Sequence, residues 1–184
     1  MLQLGIFVGG ASSRMGQPKG LLRYEGGTLL DRALTLAEAL SLEPVLVGDA
    51  SPYEGHAPGV LRCPDEVLNV GALGGLLSLL RRGPALVMAC DMPLLQPSHL
   101  QTLLDAPRGL IALSRTEAFY DPFPARCAPE LRGPIESQLA QGKTSFQSLI
   151  RALEPHERVL VELPRDATLD WDEPSDVFEE PPER

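Results

Sequence analysis

The sequence predicts an α/β fold in which helices cover both faces of a mainly parallel β-sheet, so that one domain has three layers. Short apolar runs bounded by glycine or proline alternate with longer segments of helical periodicity along the 184 residues. The hydrophobic content of 43% is enough for one sizeable core in a chain of this length. We therefore expect residues 1–184 to form a single domain, with an acidic, proline-rich tail that frays from about residue 178.

Apolar runs predict the strands, which span residues 4–8, 44–48, 60–63, 85–90, 110–113 and 159–163. The run 85–90 is the most hydrophobic, which is typical of a central parallel strand, and we expect 60–63 at an edge. Pro122 and Pro124 predict that residues 122–127 form an edge or irregular strand, since proline has no amide N–H for a sheet hydrogen bond.

Helices are predicted between these strands. Thr28 and Asp31 have the spacing of a capping box at a helix start, and apolar residues then recur at helical spacing. Ser98 is the expected cap of a later helix. Further helices are predicted over residues 72–82, 130–141 and 145–153. In a sheet covered in this way, ligands bind where the parallel strands end.

Charge and cysteine usage exclude several classes of protein. The net charge of −9 argues against a nucleic-acid partner, which would require a basic surface. The three cysteines form no C-x-x-C pair, which argues for a reducing compartment and against a zinc site or disulfide framework. No apolar segment is long enough to cross a bilayer and no signal-peptide pattern is present, so we expect a cytoplasmic protein without a membrane partner.

A glycine-rich stretch, residues 9–19, follows the first predicted strand and reads Gly-Gly-Ala-Ser-Ser-Arg-Met-Gly-Gln-Pro-Lys. Its glycines let the backbone approach a ligand, and its N–H groups can converge on an anion. Arg14 and Lys19 add positive charge where phosphates would lie. The spacing matches neither a dinucleotide-binding fingerprint nor a Walker loop. On glycine content alone, an ordinary strand-to-helix loop is an equal alternative.

The order of the residues, G-G-x-S-S-R-M-G-x-P-K-x-L-L, resembles the signature of the Rossmann-like nucleotidyltransferases. It is most similar to the molybdenum cofactor guanylyltransferases and their cytidylyltransferase relatives. The resemblance implies a Rossmann-like fold and a loop that wraps the triphosphate of a nucleotide. The nucleotide-binding residues implied in this region are Phe7, Val8, Gly9, Gly10, Ala11, Ser12, Ser13, Arg14 and Lys19. The Phe7-Val8 pair replaces the Leu-Ala that is usual in both groups.

A second matching segment, Ala89 to Pro93, resembles the short C-D-x-P motif of the family. Asp91 stands at the end of the most hydrophobic strand, where a carboxylate can hold Mg²⁺, which prefers oxygen ligands. The resemblance implies that Asp91 binds the metal and the nucleotide and takes part in catalysis. An aspartate that caps the following turn is the structural alternative.

Two further segments match the family pattern. Asp65, followed by Gly71 to Gly75, resembles an element that lies along the base and ribose, which implies that Asp65 and Gly71 contact the nucleoside. The run Asp170-Trp171-Asp172 resembles the D-x-D of the cytosine-using relatives and implies that Asp172 is a second metal carboxylate. Trp171 is expected to be buried packing. Solvated acidic loops without ligand are the alternatives for both segments.

The remaining matches are weaker. Asp121-Pro122-Phe123 resembles only loosely a family element near the acceptor. The histidines lie outside every matching segment, and His56 is expected to be a solvated surface residue. The poverty of histidine fits a reaction whose attacking phosphate is already ionised and needs no general base.

Together these resemblances imply an enzyme that transfers GMP from GTP to the phosphate of molybdopterin and releases pyrophosphate in a Mg²⁺-dependent reaction. Arg14, Lys19 and Asp91 are the implied catalytic residues. The implied partners are GTP and molybdopterin, with transient contact to other molybdenum cofactor enzymes. A cytidylyltransferase acting on the same cofactor and a non-catalytic nucleotide-binding relative remain alternatives, because Pro18-Lys19 and the Asp-x-Asp run favour the cytosine-using relatives.

Overall fold

The computed structural model describes residues 2–8, 17–116 and 119–171. The strands are β1 (Gln3–Phe7), β2 (Arg23–Tyr24), β3 (Gly27–Thr28), β4 (Glu43–Val47), β5 (Leu61–Cys63), β6 (Ala85–Ala89), β7 (Ile111–Arg115), β8 (Tyr120–Cys127) and β9 (Arg158–Leu160). The helices are α1 (Leu29–Ala39), α2 (Ala72–Leu80), α3 (Pro97–Asp105), α4 (Arg132–Ala140) and α5 (Phe146–Ala152).

Seven of these strands form one sheet in the order β5-β4-β1-β6-β8-β7-β9, and β2 pairs with β3 in a small hairpin. The neighbours β5, β4, β1 and β6 are parallel, β8 is antiparallel to β6 and β7, and β9 is parallel to β7. The predicted three-layer, mainly parallel fold is therefore confirmed. Because β1, β4, β5 and β6 run in one direction, their carboxyl ends meet at one edge of the sheet, where β8 begins. We call this the carboxyl edge.

Each face of the sheet carries its own apolar core. Leu30 of α1 and Leu100 of α3 pack with Leu4 and Ile6 on one face. Helices α2, α4 and α5 cover the other face, with residues such as Leu76, Ile135 and Leu149 in that core. Helix α2 lies very close to β1, because a Cβ placed on Gly5 would lie only 2.3 Å from Cδ2 of Leu79. The predicted helical layers thus enclose the sheet.

Strand β8 differs from its prediction as an edge or irregular segment. It lies inside the sheet, where Ala125, Arg126 and Cys127 pair with both β6 and β7. The prolines are accommodated because the register with β7 shifts between Leu113 and Arg115, and ladder pairing resumes after Pro124. Proline content therefore predicted the local irregularity correctly but not the central position of the strand.

Helix α3 begins earlier than the predicted cap at Ser98. Its N-cap is Gln96, whose amide donates to Nδ1 of His99 at 3.2 Å, and Pro97 is its first residue. Proline favours this first position because its φ is already helical and its missing N–H has no partner to lose there. Among the described ranges, no helix has the length and apolar character needed to span a membrane.

Candidate functional site

An ion pair between Lys19 and Asp91 lies at the carboxyl edge. Asp91 follows β6, and Lys19 opens a short 3₁₀ turn, Lys19–Leu21. The Lys19 Nζ lies 2.7 Å from Oδ2 of Asp91, and the two side chains are 19% and 11% exposed. The structure therefore brings together two predicted site residues that are 72 positions apart in the chain. Partial shielding from water strengthens such a pair relative to an exposed one.

Backbone hydrogen bonds hold Asp91 in place from two directions. The amide of Cys90 donates to the carbonyl of Phe7 at 3.0 Å, which extends the ladder between β6 and β1 up to the residue before Asp91. The carbonyl of Asp91 accepts from the amide of Trp171 at 3.0 Å. The late segment of the chain thus reaches the end of β6. Trp171 is buried against Leu22 and Leu29, as predicted.

Asp65 lies two residues beyond β5, half-buried at the same edge. A Cβ on Gly75 would lie 2.8 Å from Oδ1 of Asp65 and 3.1 Å from the ring of Phe7, so Gly75 makes room for both groups. Burial raises the pKa of the Asp65 carboxyl. No donor in the part of the chain that the structure describes hydrogen-bonds this carboxylate. A ligand that brings N–H donors would offset its desolvation.

The glycines at the start of α2 have separate reasons to be glycine. Gly71 adopts φ +60° with ψ −150°, a conformation that side chains disfavour. A Cβ on Gly74 would lie 2.3 Å from the carbonyl oxygen of Val67. The close approach predicted for this element is therefore made to backbone and side chains of the protein, and the nucleoside contact of Gly71 stays a prediction.

A cleft of about 430 Å³ opens beside Asp65, between the ends of β4 and β5. Its lining comprises Gly48, Asp49, Ala50, Ser51, Glu54, Arg62, Pro64, Asp65 and Leu68. The Asp49 carboxylate accepts from the amide of Ser51 at 3.0 Å and from its hydroxyl at 2.6 Å, which holds the pKa of Asp49 below its ordinary value. Sequence reasoning missed Asp49 because no motif contains it. The available signal was its position directly after a parallel strand.

A polar cluster surrounds the start of α1. Thr28 and Asp31 form the predicted capping box, and Oδ2 of Asp31 accepts from the Thr28 amide at 2.9 Å. His56 lies at the surface, as expected, but its ring also makes hydrogen bonds that were not foreseen. Its side chain is 30% exposed, and its Nε2 lies 2.9 Å from Oδ1 of Asp31 and 3.1 Å from the Thr28 hydroxyl. The segment that carries Asp49 and His56 is therefore attached to α1.

Several predicted site residues lie outside the described ranges. They are Gly9, Gly10, Ala11, Ser12, Ser13, Arg14 and Asp172. Within the described ranges, no group of three or more His, Cys, Asp and Glu side chains could hold a metal ion. Asp91 is therefore the metal-ligand candidate whose surroundings the structure shows, and the roles of all these residues stay predictions.

Comparison with known proteins places this geometry in a family. A family model described as the MobA-like NTP transferase domain matches residues 5–156. The chain belongs to this family. The matched range includes Phe7, Lys19, Asp65 and Asp91, so the residues that meet at the carboxyl edge are part of the MobA-like domain.

Individual relatives agree with this assignment. A Xanthomonas euvesicatoria pv. vesicatoria protein named "Molybdenum cofactor guanylyltransferase" is 34% identical over 157 residues, which cover 81% of this chain and 76% of that protein. An Opitutus terrae protein named "Probable molybdenum cofactor guanylyltransferase" is 28% identical over 182 residues, which cover 93% of this chain and 90% of that protein. A solved structure, molybdopterin-guanine dinucleotide biosynthesis protein A from Archaeoglobus fulgidus, has the same fold, with a TM-score of 0.76, 20% identity and coverage of 96% and 94%. The chain is thus a nucleotidyltransferase of the MobA-like family.

Proposed function

We propose that this enzyme transfers GMP from GTP to the phosphate of molybdopterin, forming a guanine dinucleotide cofactor and pyrophosphate. The observation that carries the proposal is the Lys19–Asp91 pair at the carboxyl edge, 2.7 Å apart, in a MobA-like domain. The curated names of the Xanthomonas and Opitutus relatives supply the substrates. We further propose that the enzyme works in the cytoplasm and transiently contacts other molybdenum cofactor enzymes.

The chemistry requires two polyanions to approach each other. The acceptor phosphate attacks the α-phosphorus of GTP, its new P–O bond forms as the bond to the β-phosphate oxygen breaks, and pyrophosphate leaves with the electron pair. Positioning and charge neutralisation are the main catalytic demands in such a transfer. Lys19 can meet part of this demand, since its ammonium can exchange Asp91 for a phosphate oxygen within the same edge. Arg14 would add a second cation to the leaving pyrophosphate.

Asp91 fits the donor chemistry of Mg²⁺. Its carboxylate offers hard oxygen ligands, its side chain is 11% exposed, and its carbonyl and neighbouring amide are held by backbone hydrogen bonds. Mg²⁺ in nucleotide sites commonly uses one or two carboxylates with waters and substrate phosphates. We propose that Asp91, with Asp172, would hold this ion, which would supply charge neutralisation at the phosphates when bound.

The half-buried Asp65 carboxylate supports guanine as the base. Guanine offers two adjacent donors on its Watson–Crick edge, N1–H and N2–H, whereas cytosine offers the N4 amino group. A carboxylate with two oxygens can accept both guanine donors. Asp65 borders the cleft formed by the ends of β4 and β5, which provides space for a base. In this arrangement Phe7 and Val8, at the end of β1, and Gly71 would border the nucleotide.

Cytidylyl transfer is the second candidate, favoured by the Asp170-Trp171-Asp172 run. One experiment separates the two. Purified enzyme with Mg²⁺ and molybdopterin receives GTP, CTP or ATP in parallel, and pyrophosphate and the dinucleotide product are quantified. We expect GTP to give the highest kcat/KM. A preference for CTP would overturn the guanylyl assignment and leave the nucleotidyltransferase family intact. Nucleotide binding without any transfer would favour the non-catalytic alternative.

A further inference from the structure

Tyr53 is a buried aromatic residue that the proposed chemistry does not use. It closes the short 3₁₀ turn Ser51–Tyr53, between β4 and β5, and is only 1% exposed. Its neighbours Ser51 and Glu54 line the cleft beside Asp65. The Tyr53 side chain points the other way, into the apolar core that includes Cys90. This turn therefore lies between the cleft beside Asp65, which we call the nucleoside cleft, and the apolar core that includes Cys90.

The Tyr53 side chain contacts the backbone next to Lys19. Its hydroxyl accepts a hydrogen bond from the amide of Gly20 at 3.3 Å. A Cβ on Gly20 would lie 2.8 Å from Cε1 of the Tyr53 ring, so the two residues are in direct contact. The position that follows Lys19 is thus supported by the Tyr53 ring and bound to the Tyr53 hydroxyl.

The same hydroxyl also reaches the segment between β6 and Asp91. It interacts with the thiol of Cys90, the residue directly before Asp91. Burial raises the pKa of Tyr53 to about 12, so the hydroxyl stays protonated and can accept and donate at once. Tyr53 therefore contacts the two residues next to the ion pair in the chain, the backbone of Gly20 and the side chain of Cys90.

The residues that follow the turn Ser51–Tyr53 are also held by hydrogen bonds. His56 lies 2.9 Å from Asp31 at the start of α1, and the amide of Ala57 donates to the carbonyl of Tyr53 at 3.0 Å. A lysine side chain has a flexible stem, so where its ammonium can reach depends on how firmly its backbone is held. The Tyr53 ring and hydroxyl hold Gly20, and the contact of His56 with Asp31 holds the segment that carries Tyr53. Together these contacts fix the backbone next to Lys19.

We propose that Tyr53 is a positioning residue that connects the wall of the nucleoside cleft to the Lys19–Asp91 pair and places the Lys19 ammonium for phosphate binding. This inference rests on the proposed role of Lys19 toward phosphate. It assigns to the turn Ser51–Tyr53 a function that no motif in the sequence indicates.

The test uses inorganic pyrophosphate as the probe, because its binding requires neither a base nor an acceptor. The variants are Tyr53→Phe, Lys19→Met, their double variant and Gln3→Met. Gln3→Met is the matched control, since the Gln3 amide makes a buried hydrogen bond to the Leu79 carbonyl at 3.2 Å at the opposite edge of the sheet. Calorimetry with Mg²⁺ measures pyrophosphate affinity, and steady-state assays with GTP measure kcat and KM.

We expect Tyr53→Phe to weaken pyrophosphate binding and lower kcat by about 5-fold, with KM for GTP changed less, since one net hydrogen bond is lost. In the Lys19→Met background the same change should have no further effect, because coupled residues are non-additive. Gln3→Met should leave both quantities unchanged.

Two results would overturn the inference while leaving the function intact. One is wild-type affinity and kcat in Tyr53→Phe. The other is an equal loss in both backgrounds, or in Gln3→Met, which would indicate a general loss of stability. Gly20→Ala gives a second approach to the same contact, since its methyl group must displace the ring, and it should reproduce the kcat loss. If the parent enzyme itself does not bind pyrophosphate, the proposed role of Lys19 fails together with the inference.

Discussion

The starts of α1 and α2 lie at the same edge of the sheet but satisfy their polar groups in different ways. At α1, Thr28 and Asp31 cap each other and His56 adds a third contact. At α2, Gly71 provides no side-chain cap, and no described residue donates to the nearby Asp65 carboxylate. We call these two helix starts junctions. At the α1 junction the polar groups of Thr28 and Asp31 are hydrogen-bonded within the protein, so it is complete. At the α2 junction the Asp65 carboxylate can still accept hydrogen bonds from a ligand, so it is incomplete. This difference separates a stabilising cluster from a candidate binding site.

The pKa shifts of the two aspartates follow the same division. Burial raises the pKa of Asp65. Burial also acts to raise the pKa of Asp31, but hydrogen bonds from Thr28 and His56 outweigh it and hold that pKa below its ordinary value. A lowered folded-state pKa contributes stability that is present above the unfolded value and lost as pH falls. The raised pKa of Asp65 has the opposite effect. As pH rises toward the folded-state pKa, ionisation of Asp65 lowers the free energy of unfolding.

The largest expected effect is at Asp91. Asp91→Asn keeps the size of the side chain but removes the charge that pairs with Lys19 and would hold Mg²⁺. Loss of one such electrostatic group should lower kcat by about 10²–10³-fold. Turnover with GTP and molybdopterin is the measurement. Asp105→Asn at the end of α3 is the control and should retain parental activity, and an active Asp91→Asn enzyme would remove Asp91 from the reaction.

Lys19→Met should have the next largest effect. The variant keeps most of the apolar stem and removes the ammonium that would bind phosphate. Loss of this charged hydrogen bond should lower kcat/KM by about 10-fold or more. Lys143→Met, at an exposed position after α4, is a matched lysine control. Activity within about 2-fold of the parent in Lys19→Met would exclude Lys19 from phosphate binding.

Asp65→Asn tests the incomplete junction directly. The amide replaces a carboxylate oxygen by a donor, so it should lower the preference for GTP over CTP by about 10-fold. Because burial disfavours the charged form of Asp65, the Tm at neutral pH should be unchanged or higher than in the parent. Competition binding with both nucleotides and a melting curve provide the two measurements. An unchanged base preference combined with a lower Tm would assign Asp65 a structural role.

Asp31→Asn tests the complete junction and should have the smallest effect. Loss of the capping box should lower the free energy of unfolding by about 0.5–1 kcal/mol, a modest figure because the Asp31 side chain is half exposed. The difference from the parent should disappear in acid, as the Asp31 carboxyl of the parent becomes protonated. Denaturant titrations at neutral and acidic pH measure this. A variant that loses nucleotide binding but no stability would reverse the assignments of the two junctions.

Local sequence determined much of the fold by itself. The alternation of apolar runs with helical periodicity predicted the layers, and the Thr28–Asp31 spacing predicted the capping box that the structure confirms. The end of a strongly hydrophobic strand indicated Asp91, and Trp171 was expected in the core. Such features depend on residues within a few positions of one another, where side-chain period and capping chemistry act directly.

Only the tertiary structure decided the features that depend on strand order. The central place of β8 follows from pairing across the sheet, which proline content does not report. The contact of His56 with α1, the support of Gly20 by Tyr53 and the 2.7 Å pair of Lys19 with Asp91 all join distant parts of the chain. The sequence placed Lys19 and Asp91 at one edge because parallel strands end together. Their direct contact depends on backbone positions that packing and long-range hydrogen bonds set, and these are not encoded in any local pattern.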